Sequence, residues 1–91
     1  MSSASTTTTG VASVREQIRE YVARVLRENK DDRNPLGDTD SLVLSGRLSS
    51  LDVVDVLSFL ETRFNFTMAP SDFDQSKFES IDNIVAMVEG N

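Results

Sequence analysis

Cysteine and histidine are both absent from the chain. Without cysteine there is no disulfide framework and no thiolate metal site. Without histidine the commonest general base and metal ligand is missing. What remains for acid–base chemistry is a set of fifteen Asp and Glu residues, most of which read as solvated. These two absences argue against an enzyme more strongly than any motif argues for one, and any thiol the protein uses must come from a prosthetic group. Tryptophan is absent too, and no apolar run approaches the roughly 18 residues of a membrane-spanning helix. The 91 residues suffice for one domain. A domain of this size buries only about 60–65% of its extended-chain surface, which implies a stability of roughly 5–10 kcal/mol.

The net charge of −6 is unevenly placed. Residues 1–30 hold five basic and three acidic residues, for +2, whereas residues 31–91 hold four basic and twelve acidic, for −8. The second part repels phosphate backbones, so no nucleic-acid partner is expected. Taken alone such an acidic balance serves solubility; it is also expected to attract basic patches on partner proteins and speed their encounter.

Residues Met1 to Gly10 are rich in Ser and Thr and carry no charged side chain. They have nothing to bury, so an unstructured tail is expected over 1–10. They have neither the basic start nor the apolar run of a secretory signal, and the expected location is cytoplasmic. From about Ala12 to Asn29, Val14, Ile18, Tyr21, Val22, Val25 and Leu26 recur at helical spacing, opposite a mixed-sign polar face. That mixture suits a solvated face better than a membrane surface. Tyr21 reads as a core or boundary residue. A long connection follows to Ser49, with turns at Pro35 and Gly37 and with Leu42, Leu44 and Leu48 expected to pin it to the helices. Asp32, Asn34 and Gly37 begin a calcium-loop pattern, which fails at Leu36 and Val43 where oxygen ligands are required.

Gly46 to Phe64 organises the rest. Gly46 supplies a bend. Ser49 is suited to cap a helix by accepting the Asp52 amide, and Asp52 nearly completes a capping box. Ser50 is then the first helical residue, with a hydroxyl the backbone does not need. Val53, Val56, Leu57, Leu60 and Phe64 form one core-facing stripe. Leu51 and Val54 fall outside it, beside Asp55, Ser58 and Glu61, and look like a docking surface. Beyond Asn65, a suitable helix terminator, a short helical turn is expected from Ser71 or Asp72 through Lys77, with Phe73 and Phe78 facing inward. Ser80 caps a last helix from Ile81 to Glu89, with Ile81, Ile84, Val85 and Val88 in the core. Phe59 and Met87 are left to contact the long loop or to line an interior pocket. The expected fold is all-α: a small four-helix bundle of three main helices and one short one, with a long first loop.

The pattern Gly46-x-x-x-Ser50-Leu51-Asp52-x-Val54, running into an acidic amphipathic helix, resembles the attachment site of the acyl carrier and peptidyl carrier protein family. The resemblance extends from the first helix to Val88. The stretch Asp72 to Ile84 is similar to free-standing carriers, including those loaded with amino acids. It implies a carrier domain over 11–91 and a 4′-phosphopantetheine group on Ser50, transferred from coenzyme A by a phosphopantetheinyl transferase. It further implies a monomeric, non-enzymatic protein that holds an acyl or aminoacyl cargo as a thioester. Its partners would be a loading ligase and downstream transferases or synthases of fatty acid or secondary metabolite biosynthesis. Leu51, Asp52, Val54, Asp55, Ser58 and Glu61 would meet these partners. The one departure is Ser49, where the family usually has Asp; serine keeps the capping role and lacks the charge. A small acidic helical interaction module without a prosthetic group is the alternative, and a hydrolase built on Ser50 lacks any histidine to activate it.

Overall fold

The computed structural model describes residues 13–90, so the tail expected over 1–10 and the proposed helix start at Ala12 lie outside the described residues. Three α-helices appear in order: α1 (Val14–Lys30), α2 (Ser50–Phe64) and α3 (Ile81–Glu89). Two short 3-10 turns, Pro70–Asp72 and Gln75–Phe78, stand between α2 and α3. There is no strand among the described residues.

Each helix begins on a serine whose hydroxyl accepts a backbone amide three residues on: Ser13 from Glu16, Ser49 from Asp52, Ser80 from Asn83. That bond satisfies one of the orphan donors of the first turn. At the other end α1 and α2 stop on Asp31 and Asn65, both left-handed, with φ of 54° and 55°. Asp and Asn tolerate that region better than other non-glycine residues. Gly90 ends α3 without leaving the right-handed region.

α1 packs against both α2 and α3, and the second 3-10 turn touches α2 and α3. The resulting core joins Ile18, Val22, Val25 and Leu26 to Val53, Val56 and Leu60 of α2, and to Ile81, Ile84 and Val85 of α3. Phe78 is its largest fully buried side chain. Burying such a side chain contributes about 1.5–3 kcal/mol. Leu57, Phe64 and Val88, expected in the core, are partly buried against it.

The long loop is held at several points. Leu42 and Leu48 are buried, and their backbones bond to each other at 2.8 Å. The Leu42 amide also donates to the Glu79 carbonyl at 2.8 Å. The Glu79 carboxylate accepts the amides of Val43 and Leu44, each at 2.9 Å, and the Ser41 hydroxyl. These donors, the Ser41 hydroxyl first, hold its pKa below the usual carboxylate value. Arg47 closes the loop on itself by an ion pair with Asp32 at 2.9 Å. The Asp32 carboxylate is thus occupied by a guanidinium. Arg15 and Arg19 bind Asp38, and Arg15 also reaches Asp82 at 2.5 Å, tying α1 to the loop and to α3. Gly46, at φ +84°, makes the bend that returns the chain toward α2.

Two expectations change, for Leu44 and Phe73, and the points left open are filled. Leu44 does not pin the loop: it is 88% exposed, because Glu79 binds the backbone of this turn and leaves the Leu44 side chain outward. The short helical segment expected between α2 and α3 is present as the two 3-10 turns, and the all-α bundle stands as expected. The chain is extended at Asp74, whose side chain accepts the Ser76 amide and restarts the turn there. Phe73 consequently lies at the surface, 36% exposed, with its ring 6.0 Å from that of Phe78. Phe59 stacks flat on Tyr21 at 4.0 Å, between α1 and α2, while Met87 lines an open groove with Phe66 and Met68.

Candidate functional site

The start of α2 is built as a double clamp. Ser49 is extended at φ −82°, ψ 174°, and its hydroxyl accepts the Asp52 amide at 3.2 Å. In return, Asp52 Oδ2 accepts the Ser49 amide at 3.0 Å, which completes the capping box with Asp in the place of Glu or Gln. The other carboxylate oxygen of Asp52 accepts the Asn29 side-chain amide at 2.9 Å, and Lys30 Nζ lies 3.5 Å from Oδ2. The last residues of α1 therefore hold the first turn of α2. Burial alone would raise the Asp52 pKa; the bonds from the Ser49 backbone, the Asn29 side chain and the Ser49 hydroxyl outweigh it, and the carboxyl lies below its ordinary value.

With Ser49 as cap, Ser50 is the first residue of α2 and is exposed. Its Oγ accepts a hydrogen bond from Gln75 Nε2 at 2.8 Å. No basic side chain touches this hydroxyl among the described residues, and Gln75 offers it a donor only. Among the described residues, nothing hydrogen-bonded to the Ser50 hydroxyl can act as a base to make it a nucleophile.

Leu51 is 81% exposed and Val54 52% exposed, and Asp55, Ser58 and Glu61 are exposed beside them. Their spacing puts these residues on one side of α2, running down from Ser50. Asp52 does not join them: it is 5% exposed and committed to Ser49, Asn29 and Lys30. Asp55 reaches the surface, but its Oδ1 accepts the Tyr21 hydroxyl at 2.5 Å. That bond, and then partial burial, raises the Tyr21 pKa.

Two features were not anticipated from sequence. Gln75 lies 25 residues beyond Ser50, in a segment whose local pattern gives no hint of the contact. Leu44 adds an exposed apolar side chain in a run where Leu42 and Leu48 are buried, and nothing in the local spacing separates the three.

An exposed hydroxyl at a helix start, spared from capping and next to apolar and acidic side chains, fits a covalently attached group that other proteins must reach. The first-turn amides of Ser50 and Leu51, which have no carbonyl partner within the helix, favour a negatively charged phosphate there. A family model described as the phosphopantetheine attachment site matches residues 16–88. No curated protein and no solved structure matches the chain. No described helix is long and apolar enough to cross a membrane. The chain belongs to the phosphopantetheine attachment family, the acyl and peptidyl carriers, whose domains bear covalent 4′-phosphopantetheine, act with partner enzymes and are themselves non-catalytic.

Proposed function

We propose that Ser50 is the attachment residue and that the protein carries an acyl or aminoacyl cargo between enzymes. The observation that carries this reading is the Ser50 hydroxyl, spared from capping and exposed at the first position of α2 while Ser49 performs the capping. When bound, the prosthetic group supplies a terminal thiol that holds the cargo as a thioester. The chain's residues hold and display its attachment point. Ser49 and Asp52 fix the backbone of the first turn, Asn29 and Lys30 fix Asp52, and the first-turn amides would favour the negative charge of a phosphate on Ser50.

Leu51 and Val54 form a small apolar centre, with Ser58 and Glu61 further along the same side. Such a surface suits brief docking, with charge aiding encounter and apolar contact fixing register. Its users are a phosphopantetheinyl transferase, a loading ligase, and the transferases or synthases that take the cargo onward.

Intact mass before and after incubation with coenzyme A and a promiscuous phosphopantetheinyl transferase tests the assignment. The expected result is a gain of one phosphopantetheine, mapped by fragmentation to Ser50 and absent from Ser50→Ala. A gain retained in Ser50→Ala, or no gain under conditions that modify a control carrier, overturns it.

A further inference from the structure

We propose that Gln75 is a positioning residue for the modification of Ser50: its amide holds the hydroxyl by its oxygen and leaves the hydroxyl proton free for the modifying enzyme. The inference rests on Ser50 as the attachment residue. Gln75 Nε2 donates to Ser50 Oγ at 2.8 Å from the first position of the second 3-10 turn. That turn is itself anchored. Phe78, at its far end, is fully buried, and Asp74 accepts the Ser76 amide at 2.9 Å just before it. Gln75 is half-buried. The amide is therefore delivered to Ser50 by a packed element, and the position of its donor is set before any enzyme arrives.

In the transfer, Ser50 Oγ forms a bond to the phosphorus of coenzyme A that carries the pantetheine. The bond from that phosphorus to the adenosine 3′,5′-bisphosphate oxygen breaks, and that oxygen leaves with the electron pair. The hydroxyl proton passes to a base of the transferase. As the proton departs, negative charge grows on Oγ, the atom the Gln75 N–H already faces. A hydrogen bond to a charged acceptor is stronger than one to a neutral acceptor, so this contact strengthens toward the transition state and speeds the chemical step. A carboxylate at position 75 has the opposite effect: it offers no donor to Oγ and repels both the charged oxygen and the phosphate.

The test follows transfer from coenzyme A to the full chain by intact mass, at varied carrier concentration. Gln75→Ala is expected to lower kcat by about three- to tenfold, the scale of one hydrogen bond, with KM unchanged because the docking side of α2 is intact. Gln75→Glu falls further. Gln75→Lys, which retains a donor, recovers most of the rate. A second readout is the Gln75 side-chain amide resonance, expected to shift in Ser50→Ala and on conversion of the wild type. Equal kcat for wild type and Gln75→Ala, or a loss confined to KM, overturns the inference while leaving Ser50 as the attachment residue. A wild-type chain that gains no phosphopantetheine overturns the Ser50 assignment, and this inference with it.

Discussion

The Tyr21 hydroxyl donates to Asp55 Oδ1 at 2.5 Å, joining α1 to a carboxylate on the exposed side of α2. The same tyrosine stacks on Phe59 at 4.0 Å, with Arg24 5.4 Å from the ring centre on α1. One residue thus ties the docking helix to α1 by a hydrogen bond and by ring contact.

Tyr21 is the only tyrosine, so ultraviolet absorbance titration reports it alone. Its pKa is expected above the ordinary tyrosine value, because ionisation breaks the Asp55 bond and sets two negative charges together. Asp55→Asn should bring it down. The folded-state value is the raised one, so this contribution to stability is complete below the unfolded pKa and is lost as pH rises through the folded pKa. A midpoint at or below the ordinary value would contradict the bond.

Asp52→Ala should destabilise the fold by about 2 kcal/mol, since it removes a capping-box partner and leaves the Ser49 and Asn29 donors unpaired. The Asp52 pKa is depressed in the fold, so its contribution is present above the unfolded value of about 3.9 and is lost as pH falls through the folded value. Urea unfolding of wild type and Asp52→Asn should therefore show a stability gap near neutrality that closes on acidification. A gap independent of pH would rule out the carboxylate as its source.

Ser49→Asp keeps an oxygen at the cap and adds a negative charge at the positive end of α2, so stability should hold or rise by about 0.3–1 kcal/mol. It restores the residue the family usually carries before the modified serine. A transferase that reads this charge should show kcat/KM raised about two- to fivefold, the equivalent of one exposed charge contact. Steady-state modification rates measure this directly.

Leu51→Ala removes a side chain that is 81% exposed, so the unfolding midpoint should barely move. Transferase kcat/KM should nonetheless fall about fivefold or more, the scale of a central apolar contact in an interface. Glu61→Lys should slow encounter and weaken its salt dependence. Glu61 is a cleaner site for this test than Asp55, whose carboxylate is already engaged by Tyr21. Wild-type rates in both variants would remove this side of α2 from the docking surface.

Local signals in the sequence were enough to place the helices and the serine. Capping at Ser49 and Ser80, the three- and four-residue spacing of Ile18, Val22, Val53, Val56 and Leu60, and the stops at Asn65 and Gly90 all depend on neighbours a few residues apart. Such neighbours are already adjacent in the unfolded chain, so their consequences can be read before the chain is folded. That the Ser50 hydroxyl is spared from capping follows from the same local geometry.

Only the tertiary structure decided which side chains meet across the fold. Asp52 left the docking side because Asn29 and Lys30, at the end of a different helix, come within reach of its carboxylate. Leu44 turned outward because Glu79, 35 residues away, binds the amides of its turn. Phe73 came to the surface where Asp74 interrupts the expected helix, and Gln75 came to the Ser50 oxygen from the same segment. Apart from Phe73, where Asp74 acts on its near neighbour Ser76, each outcome depends on a hydrogen bond or burial between residues far apart in the chain. Periodicity carries no information about such pairs, because the energy that selects them arises only once the helices have packed.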